Sequence, residues 1–340
     1  MAKTLSSIRR QIERQIRKTA TFADVAHEWL KAKSPSVRVS TLARYRATVE
    51  LHVLPYFGTL PLRKVTAADV SGFAEEKLRN GRLDNKGGLA ASTVRGMLSV
   101  VKSVLDYAHR TYKISQPVCV TYPRHFERAM RVLSKKEQAL LESLWESRAD
   151  IFMLAVLLCL YTGIRIGELC ALQWHDISFE KGMITINKTL QRVKDLSGNE
   201  DGNESGSGSG KKTKILVGAP KSRSSVRELP IPKFLLEILR EASKGKEGFF
   251  LSTGKSSFVE PRTMQNHFAR ITRELNIAGA NFHCLRHTFA TRCIEAGVDV
   301  KTLCEMLGHS NVSMTLDRYV HSSFEQKQAS IAKLEEHTRQ

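Results

Sequence analysis

Apolar positions recur at helical spacing along most of the chain, and polar start and stop signals divide it. Phe22, Val25, Ala26, Trp29 and Leu30 form a stripe behind the capping pattern of Thr21 and Asp24. Ser40 opens a second helix with Leu42, Tyr45, Val49 and Val53, closed by Pro55 and Gly58. Thr66 and Asp69 open a third, carrying Val70, Phe73, Ala74 and Leu78 to a stop at Gly81. After a polar loop over 82–91, Ser92 opens a fourth with Met97, Val101, Val104, Leu105 and Ala108. Ahead of these helices, residues 5–18 set Leu5, Ile8, Ile12 and Ile16 against Arg10, Arg14, Arg17 and Lys18. That predicts a basic amphipathic helix within 1–20. Its apolar side lacks Trp and Phe, which favours contact with DNA or a neighbour over a membrane surface.

Residues 116–131 hold two prolines and a cluster of basic side chains, and read as a linker. Beyond them the pattern changes. Ser134 caps a helix, and Ile151 to Tyr161 is an unbroken apolar run. Being far shorter than the ~20 residues that span a bilayer, the run reads as a buried core helix. Met183 to Leu190 alternates as a strand, 195–212 is a Gly/Ser-rich loop, and Ile215 to Pro232 reads as two strands around a turn at Lys221 to Ser225. Ser256 to Gly279 has helical spacing. Phe289, Cys293 and Ala296 then run to a stop at Gly297, and Asp299 caps a short helix with Val300, Leu303 and Leu307 that ends at Gly308. The fold class expected is an all-α N-terminal domain followed by a mainly α domain with a small antiparallel sheet.

Charge changes the picture. The chain carries a formal net charge of +19, and residues 1–131 hold 24 basic against 10 acidic side chains, a net of +14. The remaining 209 residues carry only +5. A polyanionic partner gripped by the N-terminal part is the reading, with Arg44, Arg46, Arg95 and Lys102 as candidate DNA-backbone contacts on the polar helix faces. The six cysteines show no CxxC spacing and the N-terminus shows no secretory signal. Reduced thiols in the cytoplasm, at a bacterial nucleoid, are expected.

Candidate chemistry gathers between Phe282 and Tyr319. His283 and Arg286 lie three apart and share a helix face, His309 follows the stop at Gly308, and Tyr319 lies ten residues on. His283 and His287 have a zinc-like spacing, but no Glu follows the first His and Arg286 would set a cation beside the metal. Alone, this segment does not separate a phosphate site from a salt-bridged helix face.

A second motif lies upstream: Thr162-Gly163-Ile164-Arg165-Ile166-Gly167-Glu168-Leu169, followed by Cys170-Ala171-Leu172-Gln173-Trp174. Together with HCLRHTFAT, LGHS and DRY, in that order, it resembles the tyrosine recombinases, the phage-integrase family, over roughly residues 21–325. The style is closest to integrases of conjugative transposons and temperate phages. The resemblance implies a core-binding domain at 21–115, a catalytic domain at 132–322, and a tail at 323–340 that docks on a neighbouring subunit, with packing on its own domain as the plainer alternative. Twenty N-terminal residues are too few for the separate arm-binding domain that some integrases carry.

The resemblance also implies roles. Tyr319 would be the nucleophile, attacking a DNA phosphodiester to leave a 3′-phosphotyrosyl link. Arg165 and Arg286 would hold the non-bridging oxygens, with His309 beside them, and His283 would serve as acid/base. Lys221 would protonate the leaving 5′ oxygen, with Lys212 and Lys214 as rivals, and Glu168 would orient the site. No metal-ligating carboxylate cluster or phosphate-cradling loop accompanies these residues, so chemistry independent of metal, ATP or any cofactor is expected. The expected partners are double-stranded DNA at specific sites, further copies of the chain in a dimer or tetramer, and an accessory directionality factor. Two alternatives share the fold: a DNA-relaxing enzyme resembling type IB topoisomerases, and a non-catalytic sequence-specific DNA-binding protein.

Overall fold

The computed structural model describes residues 20–112, 118–125, 130–194, 213–218, 223–252 and 258–309. The basic segment 1–19, the loop 195–212, the turn at Lys221 and everything from Ser310 onward, including Tyr319 and the tail, lie outside the described residues. The described residues fall in two compact units, bounded by 1–128 with 193–214 and by 129–192 with 215–340.

The first unit is helical: α1 (Phe22–Lys33), α2 (Val39–Thr48), α3 (Leu54–Phe57), α4 (Ala67–Asn80) and α5 (Ala91–Tyr112). Thr21 and Asp24 form a reciprocal capping box on α1, and Thr66 and Asp69 form another on α4. Each satisfies donors that a helix start leaves orphaned. The stripes meet in an aromatic core, with Phe22 and Phe57 stacked at 5.1 Å between centroids and Phe57 5.2 Å from Phe73. Val118, Val120 and Tyr122, from the expected linker, pack against this core.

Several expectations need correction here. The second helix begins at Val39 behind an extended Arg38, not behind Ser40, and Arg38 supplies no side-chain cap. Pro55 does not close it either. A wide π turn over Val49–Val53 leads directly into α3, where Pro55 sits in the first turn and lacks only an N–H that has no helical partner there. Gly58 then ends the run by donating to Leu54 O at 2.8 Å.

The second unit contains α6 (Lys135–Ser147), α7 (Ile151–Thr162), α8 (Ile166–Ala171), α9 (Lys233–Ala242), α10 (Pro261–Glu274), α11 (His283–Glu295) and α12 (Val300–Leu307). Helix α7 is the centre of its core, buried on every side from Met153 to Leu160. That is why the run carries no polar face. Asp150 caps it by accepting from the Phe152 and Met153 amides at 2.9 and 2.8 Å. Helix α9 was not expected, although Leu235 and Leu239 bury one side of it.

The strands are β1 (Ile177–Ser178), β2 (Met183–Ile186), β3 (Thr189–Lys194), β4 (Thr213–Gly218) and β5 (Arg227–Pro230). The expected single strand Met183 to Leu190 is broken at Asn187 and Lys188, and its halves belong to different sheets. β2 is the middle of an antiparallel sheet in the order β1-β2-β5, with Ile184 opposite both Ile177 and Leu229, while β3 pairs with β4. The strands flanking the Lys221 turn therefore do not pair with each other; β5 returns to β2. Helical spacing at Ser256 to Gly279 resolves into α10 alone, with Pro261 at its start.

Candidate active site

Two helices in the second unit end on left-handed glycines, and those ends organise the site. Gly163 follows α7 with φ +64°, and Gly308 follows α12 with φ +62°. Neither position tolerates a side chain. A Cβ on Gly163 would lie 2.5 Å from Phe289 Cδ1, and one on Gly308 would lie 3.0 Å from Ser224 O. Carbonyls at such ends have no intrahelical donor and carry the negative end of the helix dipole.

Arginines fill that need. Arg286, on the buried face of α11 and 2% exposed, donates from Nη1 to Gly163 O at 2.7 Å and from Nη2 to Leu307 O at 2.6 Å. Its charge is thus buried between two helix C-termini. Arg165, in the turn before α8, donates from Nη2 to Gly308 O at 3.1 Å. Arg227, from β5, donates from Nε to Met306 O at 2.6 Å. Three consecutive carbonyls, of Met306, Leu307 and Gly308, each receive a different guanidinium.

His309 leaves this turn with its backbone amide on Cys304 O at 3.0 Å. Its Nε2 lies 2.8 Å from Arg286 Nη2 and must be the acceptor there, because a guanidinium has only donors. Glu168 is 3% exposed and stands on the other side of Arg165, accepting from its backbone amide at 2.9 Å and its Nη1 at 2.8 Å. The same carboxylate accepts from Arg227 at 2.9 and 3.2 Å. Burial pushes the Glu168 carboxyl up, but hydrogen bonds and charge from Arg227, then Arg165, hold it below the ordinary glutamate range. A depressed carboxylate contributes stability above its unfolded pKa and loses it as pH falls through the folded value.

The structure therefore brings Arg165, Glu168, Arg286 and His309 into one hydrogen-bonded cluster. Arg165 is its open member, with a side chain one-third exposed. His283 begins α11 one turn before Arg286; it is exposed, its amide capped by Asn281 Oδ1 at 2.9 Å and its ring edge-on to His287 at 4.6 Å. Lys221 and Tyr319 lie outside the described residues, as does the rival Lys212, while Lys214 stands in β4. Sequence reasoning missed Arg227. A signal was available: it alternates with Leu229, which is buried, so an arginine shares the inward face of a strand.

In the first unit the four candidate DNA contacts differ. Arg44 is exposed beside the Tyr45 ring, its guanidinium 5.8 Å from the centroid, and Arg46 is half-buried. Arg95 donates to Pro123 O at 2.9 Å and lies over Tyr122. Lys102 is paired with Asp106 at 2.7 Å.

With this geometry in view, comparisons with known proteins agree. A family model described as the phage integrase family matches residues 131–326, more than half of the chain, and one described as phage integrase, N-terminal SAM-like domain matches residues 21–78. A XerC-like tyrosine recombinase of Caldanaerobacter subterraneus subsp. tengcongensis is 25% identical, the alignment covering 92% of this chain and 82% of the relative. Among solved structures, the Tn1549 transposon integrase in complex with a circular intermediate DNA superposes with a TM-score of 0.74 at 21% identity, covering 93% of this chain and 100% of that one. A lambda integrase tetramer bound to a Holliday junction gives a TM-score of 0.62 at 16% identity, covering 92% and 82%. The chain belongs to the phage integrase family and is a tyrosine-type site-specific DNA recombinase.

Proposed function

We propose that this recombinase integrates and excises a mobile element by cutting duplex DNA with Tyr319. The tyrosine oxygen bonds to phosphorus, the bond to the 5′ oxygen breaks, and the strand stays attached as a 3′-phosphotyrosyl ester. Its bond energy is kept in the ester, so rejoining to another strand needs no nucleotide hydrolysis. Arg165 and Arg286 stabilise charge gathering on the non-bridging oxygens, and His309 adds a hydrogen bond beside them. His283 exchanges the nucleophile's proton, and Lys221 supplies one to the departing 5′ oxygen.

The observation that carries this reading is the meeting of Arg165, Arg286 and His309 around one helix end, although Arg165 comes from a motif more than a hundred residues before the other two. Arg165 has a side chain still one-third exposed after its protein partners are counted, leaving donors for an incoming phosphate. The relatives solved on DNA, one of them as a tetramer on a Holliday junction, support duplex DNA as the partner and assembly of several copies on paired sites. We extend this to an accessory directionality factor and to action at the bacterial nucleoid. Among the described residues no helix is long and apolar enough to cross a membrane.

The test is a nicked duplex built from the ends of the encoding element, so that a cleaved strand diffuses away and traps the enzyme. An adduct that survives SDS and disappears with protease is the expected product. On a supercoiled plasmid carrying the same ends, relaxation with no exchange into a second duplex would instead indicate the topoisomerase-like alternative, and binding to the nicked duplex without any adduct the non-catalytic one. On the nicked duplex Arg165→Ala is expected to slow adduct formation by more than about 10²-fold, the scale for loss of one transition-state donor. Its melting temperature should fall less than that of Arg286→Ala, since Arg165 is one-third exposed and Arg227 still pairs Glu168 when it is gone. Arg286→Ala should lower both rate and melting temperature, because the Gly163 and Leu307 carbonyls would lose a buried donor.

A further inference from the structure

The third arginine at this helix end has no part in the reaction just described, yet it is the most completely enclosed side chain of those that reach it from outside α11. Arg227 is 6% exposed in its side chain. Its Nε donates to Met306 O at 2.6 Å, its Nη1 to Ser225 O at 3.0 Å and to Glu168 Oε1 at 3.2 Å, and its Nη2 to Glu168 Oε2 at 2.9 Å. One planar group thus joins three stretches of chain: the strand that follows the Lys221 turn, the Arg165–Glu168 turn, and the end of α12 that delivers His309.

We infer that Arg227 is a positioning residue, which fixes the Arg165 guanidinium and the His309 turn relative to each other by clamping Glu168 and the Met306 carbonyl at once. Both Glu168 oxygens are shared between the two arginines: Oε1 takes Nη1 of each, and Oε2 takes the Arg165 amide and Arg227 Nη2. Arg165 is therefore aimed by a carboxylate that is itself held from behind. Gly308 permits this close approach of the turn to Arg227, because a Cβ there would lie 3.2 Å from Arg227 Nη1. A lysine at 227 would keep the charge but offers three donors on one atom, which cannot reach Met306, Ser225 and both Glu168 oxygens together. Displacement of a reacting group by about 1 Å is enough to lose on the order of 10² in rate.

This inference rests on the proposed role of Arg165 and His309, and the experiment separates the two. Arg227→Met, Arg227→Lys, Glu168→Gln and the double variant Arg227→Met with Glu168→Gln are compared with the unmodified chain in single-turnover adduct formation, duplex binding and thermal melting. Arg227→Met is expected to bind DNA within about 2-fold of the unmodified chain but to form adduct about 10²-fold more slowly. Arg227→Lys should remain slow, which a requirement for charge alone would not give. Removing Arg227 leaves Glu168 buried and unbalanced, so its carboxyl should rise, and the Arg227→Met rate should climb with pH through that new value. The groups facing Glu168 are Arg165 and Arg227, Cys159 from α7, and Asp176 and Lys188 across a small pocket beside it. Adding Glu168→Gln should abolish that pH dependence and return part of the rate. An Arg227→Met chain that folds and cleaves at the unmodified rate overturns the inference. So does an Arg227→Lys chain restored to full rate, which would reduce Arg227 to a charge. Should Arg227→Met not fold, the Lys variant decides alone, a slow rate at unchanged duplex binding supporting the inference and a full rate overturning it. Absence of adduct from the unmodified chain would count against the proposed function instead.

Discussion

Tyr319→Phe is expected to abolish the covalent adduct while leaving duplex binding within about 2-fold, because it removes one oxygen and keeps the ring. The phenol must deprotonate to attack, and its free pKa near ~10 means that cationic neighbours have to favour the phenolate. Two other tyrosines deserve comparison, and the structure argues against both. Tyr161 donates to Glu142 Oε1 at 2.6 Å, and burial, then that carboxylate, push its phenol up to about 12. Tyr112 donates to Glu28 Oε2, and burial with that partner raises it as well. A phenol held as a donor to a carboxylate is a poor nucleophile, since its hydrogen bond stabilises the protonated form. Gel electrophoresis in SDS after incubation with the nicked duplex measures the adduct, and a mobility shift measures binding. An adduct persisting in the Phe variant would mean that another hydroxyl attacks, and mapping the attached peptide would name it.

Much of this architecture was legible because it depends on local signals. Thr21 with Asp24 and Thr66 with Asp69 both form capping boxes, and the Ser134 cap forms too, with Glu137 completing it. Asp299 caps α12 through the Thr302 amide, and Gly308 ends it in the left-handed region the stop requires. What escaped depends on partners distant in sequence. Pro55 reads as a terminator until the π turn before it lets the chain pass on into α3. The alternation from Met183 to Leu190 is continuous in composition, while the backbone assigns its two halves to different sheets.

The site shows the same division. Motif order singled out Arg165, Glu168, Arg286 and His309, which the structure brings into one hydrogen-bonded cluster. That three arginines would share consecutive carbonyls could not be read, because a backbone carbonyl has no side-chain signature. Arg227 reaches Met306 across 79 positions for this reason. Its inward register beside Leu229 was the visible trace.

Binding of residues 1–131 to duplex DNA is expected to weaken by about 10³-fold or more when salt rises from about 50 to about 200 mM, as for 6–10 phosphate contacts. The motive is the net +14 on this segment, against +5 on the rest of the chain. Phe22, Trp29, Phe57 and Phe73 give its helices a core of their own, so the segment can be tested apart from the second unit. The four candidate contacts should not contribute equally. Arg44 is exposed, and replacing it with Ala should reduce the salt slope by about 1, the loss of one phosphate contact. Lys102 already faces Asp106 at 2.7 Å, with side chains 48% and 43% exposed, so a phosphate must compete with a carboxylate for it. Its removal should change the slope less. Arg95 keeps its charge but is anchored to Pro123 O and lies over Tyr122, which presents it in a fixed orientation at lower entropic cost. Fluorescence anisotropy titrations at several salt concentrations give the slopes directly. A change of only a few-fold across that window would mean that the N-terminal helices do not grip the backbone, and that the second unit carries the affinity despite its smaller charge.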